Sequence, residues 1–192
     1  MSEKVRIWWD ETYECYDVGV LSDDAAVGDV EREGEIVLSG RAARRRYGSS
    51  CNGCCICCGG RIPLTPGDIS RMMRAGLGAG KSVREWLSRY CRIEDLGPCL
   101  DVTLKCIDDI CCLWDRERSI CSLYEARPFV CRTYICAPFS RRLEELRSQI
   151  VNYGENLLEE MIVMGDFDGN KFAGIPLRNI CSKELWDWLR DM

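Results

Sequence analysis

Residues 51–69 read Cys51-Asn52-Gly53-Cys54-Cys55-Ile56-Cys57-Cys58-Gly59-Gly60-Arg61-Ile62-Pro63-Leu64-Thr65-Pro66-Gly67-Asp68-Ile69. Cys51, Cys54 and Cys57 stand as Cys-x-x-Cys-x-x-Cys, Cys58 adjoins the third, and Cys55 is an extra cysteine inside the run. Two intervening residues let the chain turn so that successive thiolates converge on one centre, with backbone N–H groups of the turn facing the sulfurs. Gly53, Gly59 and Gly60 suit a loop bending tightly around a bulky inorganic core. Immediately downstream, Thr65 is a good N-cap, Pro66 fits the first helical position, and Asp68 completes a capping box. A helix is therefore predicted from Pro66 to about Ala75, where Gly76, Gly78 and Gly80 end it.

The whole chain supports a metal reading of that run. It has 192 residues, 15 cysteines and no histidine. The absent histidine excludes His-based catalytic dyads, His-ligated metals and His proton shuttles. A chain of this length buries a core without staples, so the cysteines are not demanded by small size. Their number is odd, so no intrachain disulfide framework uses them all. The N-terminus has no apolar run long enough for a signal sequence, and no stretch reaches the length of a membrane span. These features lead us to expect a cytoplasmic protein, in a reducing compartment where clustered thiolates bind metal more often than they pair. Lys and Arg total 26 against 31 Asp and Glu, a net charge of −5, which argues against nucleic-acid binding by the chain as a whole. The one basic stretch, Arg41, Arg44, Arg45 and Arg46, is read as a solvated segment balancing nearby acids rather than as a nucleic-acid site.

A second series, Cys112, Cys121, Cys131 and Cys136, has separations of nine, ten and five residues, which makes it a set of returning loops. Cys91, Cys99, Cys106 and Cys111 lie just before it. Cys15, Cys181, Cys91 and Cys106 are read as packing residues, because free cysteine is a small and well-tolerated buried side chain. Sulfur-only ligation suits zinc and iron–sulfur clusters alike. The unpaired three-cysteine spacing fits a cubane better than a zinc knuckle, so an iron–sulfur cluster, [4Fe–4S] and possibly more than one, is favoured over zinc. Adjacent Cys57 and Cys58 point differently and could serve different metals.

Around this centre the expected fold class is α+β. Helices pack around a loop-rich cysteine-cluster metal site, with a small β-rich N-terminal segment. Three divisions are expected: 1–50 as the β-rich segment, 51–140 as the metal-binding domain, and 141–192 as a helical segment packing on it. Strands are predicted at Val5–Trp9, Tyr16–Leu21 and Glu35–Leu38. A helix is predicted to start after Ser82, with Glu85 completing a capping box, and to run through Tyr90. Residues 91–138 are expected to hold little regular structure. Helix 141–164 presents Leu143, Leu146, Ile150, Tyr153, Leu157, Met161 and Met164 on one face, with Ser140 to cap it and Gly165 to end it. A last helix from Ser182 presents Leu185, Trp186, Trp188 and Leu189. Asp166-Phe167-Asp168-Gly169-Asn170 lacks the spacing and closing Glu of a calcium loop and is read as a turn.

The first motif together with Ile62–Ile69 resembles the CxxCxxCC cysteine-cluster family, also called YkgJ-like, a group of zinc- or iron-chelating domains. Cys121-Ser122-Leu123-Tyr124-Glu125-Ala126-Arg127-Pro128-Phe129-Val130-Cys131-Arg132 resembles that family's Cys-x-x-Tyr-x-x-Arg-Pro-x-x-Cys-Arg hallmark. Cys112-Leu113-Trp114-Asp115 is similar to its middle element. The resemblance implies Cys51, Cys54, Cys57, Cys58, Cys112, Cys121 and Cys131 as ligands, and Cys136 is a further candidate. Three departures stand out: the added Cys55, Cys136 after Ile135, and Cys99-Leu100-Asp101, which competes with Cys112 for the middle element. Arg127 and Arg132 bracket Cys131. They either offset the negative charge of a thiolate-ligated cluster or pair with acids to brace the loop.

The function expected from these readings is cluster binding for electron transfer or for service to a modifying enzyme through a protein partner. Two alternatives stay open: a zinc-stabilised interaction module, and a metal-dependent enzyme, since one branch of the family resembles flagellin lysine N-methylases. No Gly-x-Gly-x-x-Gly fingerprint supports a nucleotide site.

Overall fold

The structure, a computed structural model, describes residues 3–40, 54–55, 58–97 and 100–191. In chain order the elements are β1 (Val5–Asp10), β2 (Cys15–Val20), α1 (Val27–Ser39), α2 (Pro66–Arg74), α3 (Val83–Tyr90), β3 (Cys91–Asp95) and β4 (Leu100–Leu104). Four two-residue strands follow: β5 (Cys106–Ile107), β6 (Ile110–Cys111), β7 (Trp114–Asp115) and β8 (Ile120–Cys121). Then come α4 (Phe129–Arg132), α5 (Arg141–Met164) and α6 (Lys183–Arg190), with short 3-10 turns at Tyr124–Ala126, Gly169–Gly174 and Leu177–Asn179. The strands pair antiparallel as β1–β2, β3–β4, β5–β6 and β7–β8. The fold is mixed α+β, as the sequence predicts. Among the described residues no helix is long and apolar enough to cross a membrane.

The chain divides into two compact units, neither of them contiguous in sequence. The first is Met1–Tyr47, Arg132–Tyr153 and Lys171–Met192; the second is Gly48–Cys131 and Gly154–Asn170.

In the first unit, the β1–β2 hairpin pairs Val5 with Val20 and Ile7 with Val18, which places these apolar side chains together on one buried face. The next element corrects the sequence reading. Glu35–Leu38, expected as a strand, lies inside α1. Val27, Val30, Glu31, Gly34 and Leu38 are buried along α1, a helical stripe, while Ile36 stays exposed, so the period of burial is 3.6 and not 2. Asp29 Oδ2 accepts the Ala26 N–H at 2.9 Å and starts the helix. The first half of α5 adds Leu143, Leu146 and Ile150, and α6 adds Leu185 and Leu189. Ser140 and Ser182 cap these helices as expected, accepting from Leu143 N at 3.1 Å and Leu185 N at 3.2 Å.

One polar node ties this unit together. Asp17 on β2 accepts from Ser140 Oγ at 2.5 Å and from Arg142, whose Nη1 also donates to the Trp188 and Asp191 carbonyls at 3.1 and 3.0 Å. Burial alone would raise the Asp17 carboxyl, but the Arg142, Ser140 and Val18 hydrogen bonds and the Arg142 charge outweigh it and hold it below the ordinary carboxylate value.

The second unit buries Ile62, Leu64, Ile69, Met72, Trp86, Leu87, Val102, Leu104, Leu113 and Leu158 in one core. Thr65 and Ser82 cap α2 and α3, each in a capping box closed by Asp68 and Glu85, at the predicted positions. Lys105 Nζ donates to the Ser88 and Arg89 carbonyls at 2.7 and 2.9 Å, placing a cation at the C-terminal end of α3. Residues 91–138 are more regular than expected. The β3–β4 ladder runs five residues, and Leu64 N donates to Val102 O while Leu104 N donates to Ile62 O, both at 3.0 Å. Those two bonds dock Ile62–Leu64 on β4 as a short third strand.

The apolar stripe of α5 also differs from the prediction. In its second half the buried residues are Gly154, Glu155 and Leu158, whereas Leu157 is half-buried and Met164 exposed. The two halves of this helix serve different units, so no single straight stripe runs its full length.

Candidate metal centre

The second unit builds a cysteine-lined region from four returning segments. The first is the end of the opening motif. Cys58 N donates to Cys55 O at 2.9 Å, turning the chain, and Cys58 O accepts the Cys111 N–H at 2.6 Å. A Cβ on Gly59 would lie 2.4 Å from the Asp109 carbonyl oxygen, so only glycine allows this loop to rest on the β5–β6 hairpin. The Cys106 thiol donates to Gly60 O at 3.2 Å.

The residue after this loop is anchored deeply. Arg61 binds Asp101 through Nε at 3.1 Å and Nη2 at 3.0 Å, and binds Glu155 through Nη2 at 2.6 Å. Burial raises the Glu155 carboxyl, opposed by Arg61 and reinforced by neighbouring Asp101. One guanidinium thus joins the loop, β4 and the second half of α5.

The second and third segments are the β5–β6 and β7–β8 hairpins, which carry Cys106, Cys111 and Cys121, with Cys112 between them. Cys112 N donates to Lys105 O at 2.9 Å, and Ser122 N donates to Leu113 O at 2.8 Å. Asp115 Oδ1 accepts from Glu117 N and Arg118 N at 3.0 and 2.9 Å and shapes the β7–β8 turn.

The fourth segment is the Arg-Pro turn before Cys131. A buried carboxylate holds it. Asp68 Oδ1 accepts from Phe129 N at 2.7 Å and Arg71 Nη1 at 3.0 Å; its Oδ2 accepts from Thr65 N at 2.9 Å and Thr65 Oγ1 at 2.8 Å. Arg71 Nη1 also donates to Arg127 O at 3.0 Å. Burial pushes the Asp68 carboxyl upward, and Arg71 and the Thr65 and Phe129 donors pull it back. The capping residue of the first motif is therefore the clamp on the second.

Cys111, Cys112, Cys121 and Cys131 all pack, half-buried, against the core of this unit. The Cys111 thiol donates to Cys112, which brings Cys112 down to about 7. Cys111 is raised by that same bond and by burial. A thiol of lowered pKa supplies the thiolate that a soft metal needs. Cys91, buried in the core, is pushed up to about 12 by burial, and Cys181 in the other unit likewise. Both fit the packing role expected of them. Cys106 does not: it is exposed on β5.

Of the other predicted site residues, Cys51 and Cys57 lie outside the described residues, as do Cys99 and the Arg41–Arg46 stretch. Cys54, Cys58, Cys112, Cys121 and Cys131 belong to the second unit, and Cys136 to the first. Among the described residues no three Cys, Asp or Glu side chains already converge as a metal-holding group. The donor chemistry of the region, all thiol and without imidazole, fits a soft metal or an iron–sulfur cluster. Arg127 braces its own turn: Nε donates to Tyr124 O at 2.7 Å, and its guanidinium lies 3.8 Å from the Tyr124 ring centre. Arg132 pairs with Glu35 at 2.7 Å, and among the described residues its buried Nε has no hydrogen-bond partner.

Sequence reasoning passed over Cys111 as a neighbour of Cys112, and Asp68 as more than a cap. The first had a signal in Ile107-Asp108-Asp109-Ile110, a turn pair between β-branched residues. The second had none, because its partners are 61 residues apart.

A cysteine-rich unit without imidazole is thus what fold and site define. A family model described as "CxxCxxCC: Putative zinc- or iron-chelating domain" matches residues 50–154. This is more than half of the chain, and the chain belongs to that family. No curated protein and no solved structure matches it.

Proposed function

We propose that this chain holds an iron–sulfur cluster and serves in electron transfer, or as the redox partner of a modifying enzyme. The observation that carries the reading is the donor set. Thiols from three segments of one unit, Cys111 with Cys112, Cys121 and Cys131, pack around a shared core, Cys112 is brought toward its thiolate form, and the chain has no histidine to complete a mixed zinc site. Cys51, Cys54, Cys57, Cys58, Cys112, Cys121 and Cys131 are the residues that would hold the cluster, which supplies one-electron exchange when bound. The chain's own part is to set the ligand segments. Asp68 fixes the turn before Cys131, and Arg61 fixes the strand entry after Cys58.

The test is purification without oxygen, followed by iron, zinc and acid-labile sulfide analysis and EPR after reduction. Iron with matching sulfide is expected. Cys112→Ser should lower both, and Cys181→Ser should leave them unchanged. Zinc alone, with no sulfide and no EPR signal, overturns the proposal.

A further inference from the structure

The β5–β6 hairpin places two cysteines opposite each other. Cys106 pairs with Cys111, and Ile107 with Ile110, across a two-residue turn. Asp108 and Asp109 have φ of 50° and 58°, the two positive values that a tight type I′ turn requires. The ladder assigns the register of the cysteine pair. Cys112 N donates to Lys105 O, so the outer pair is hydrogen-bonded, and Cys111 N donates away from β5, to Cys58 O. Cys106 and Cys111 therefore form a non-hydrogen-bonded pair, the register in which Cα atoms approach to about 4.5 Å and the side chains lie on the same face. That separation falls within the range of about 4.4–6.8 Å that a disulfide spans.

Access is one-sided. Cys106 is exposed and lines an open cleft of about 500 Å³, together with Arg61, Arg92, Lys105 and Asp109, whereas Cys111 is half-buried behind it. The cleft wall carries Arg61, Arg92 and Lys105 against Glu94, Asp101 and Asp109; Arg61 pairs with Asp101, Arg92 pairs with Glu94, and Lys105 is held by two backbone carbonyls.

We propose that Cys106 and Cys111 are a dithiol site that exchanges with low-molecular-weight disulfides and closes into a cross-strand disulfide. The Cys106 thiolate attacks one sulfur of the small disulfide, whose S–S bond breaks and releases one thiolate. The Cys111 thiolate then attacks the Cys106 sulfur of the mixed disulfide, forming the Cys106–Cys111 bond and releasing the second small thiolate. Two protein thiols lose two electrons and two protons, and one small disulfide gains them. Burial raises the Cys106 thiol, and the neighbouring Cys112 and Asp109 add to it, so the exchange is read at equilibrium rather than by rate. Neither sulfur is among the ligands named above, but the Cys111 thiol donates to the ligand Cys112, so closing the bond bears on the cluster reading, and the chelator-treated arm separates the two.

The experiment equilibrates the full chain, both as purified and after chelator treatment, in anaerobic buffers of graded reduced-to-oxidised glutathione. Acid quenching, alkylation and trypsin cleavage after Lys105 and Arg116 then give one peptide holding Cys106, Cys111 and Cys112. The expected result is joint loss of alkylation at Cys106 and Cys111 as the buffer becomes oxidising, with Cys112 still alkylated in that peptide. Cys106→Ser and Cys106→Ala should both abolish the bond while keeping the far-UV spectrum. The proposal is overturned if Cys106 and Cys111 stay alkylated in both forms at the most oxidising ratio. It is equally overturned if the bond maps to Cys112 or to another chain, or persists in either Cys106 variant.

Discussion

Replacing Asp68 by alanine tests how the two motifs are joined. The substitution removes both oxygens from a site with no solvent exposure. It removes the carboxylate acceptor of the Thr65 and Phe129 N–H groups, at about 1–3 kcal/mol each. It also takes the carboxylate from the Arg71 guanidinium, whose side chain is only 16% exposed and which keeps its bond to Arg127 O, and breaking a buried pair on one side costs about 3–5 kcal/mol. These costs share one site and do not add, so the expected total is about 4–5 kcal/mol, a large part of the ~5–15 kcal/mol that holds a domain together. Asp68→Asn keeps the shape and one acceptor oxygen and loses the charge facing Arg71, for which about 2–3 kcal/mol is expected. The assay is urea unfolding under reducing conditions, with metal content matched between variants because bound metal adds its own stability. A loss below about 1 kcal/mol for Asp68→Ala would show that the clamp does not hold the fold as argued. The same conclusion would follow if Asn proved more damaging than Ala.

Three other perturbations follow from the structure. Asp17 has a depressed pKa, so its stabilising effect is present above the unfolded value near 3.8 and is lost as pH falls through the lower folded value; Asp17→Asn should flatten the acid limb of stability measured by urea midpoints. Gly59→Ala drives a Cβ into the Asp109 carbonyl and should cost about 1–3 kcal/mol, with faster hydrogen exchange at the Cys111 amide; wild-type exchange there would count against the docked loop. Leu158→Ala should cost about 2–5 kcal/mol and Leu157→Ala clearly less, and equal losses in thermal unfolding would contradict the buried stripe described for α5.

What was legible in the sequence was local. Thr65, Ser82, Ser140 and Ser182 each announce a helix start because a cap and the backbone N–H that donates to it lie within three residues of one another. Gly165, with φ of 71°, closes α5 as a glycine after an apolar repeat should. The two N-terminal strands were legible from their β-branched and aromatic runs, and their pairing was not. Glu35-Ile36-Val37-Leu38 misled for the same reason: taken alone its composition favours a strand, and only burial of Val27, Val30, Gly34 and Leu38 along one stripe decides for a helix. In the candidate site, the spacing of the cysteines was readable and their supports were not. Asp68 to Phe129 and Arg61 to Glu155 span 61 and 94 residues, and no local pattern encodes such pairings.

The interleaved path of the chain bears on where it can be cut. The family match stops at residue 154, one residue short of Glu155 and four short of Leu158, which close the ion pair of Arg61 and the core around Trp86. A fragment trimmed to the matched boundaries would expose an apolar floor and leave Arg61 without one of its two carboxylates. Extending it to Asn170 would restore both. The matched sequence signature and the compact unit it runs through are, in this protein, different lengths of polypeptide.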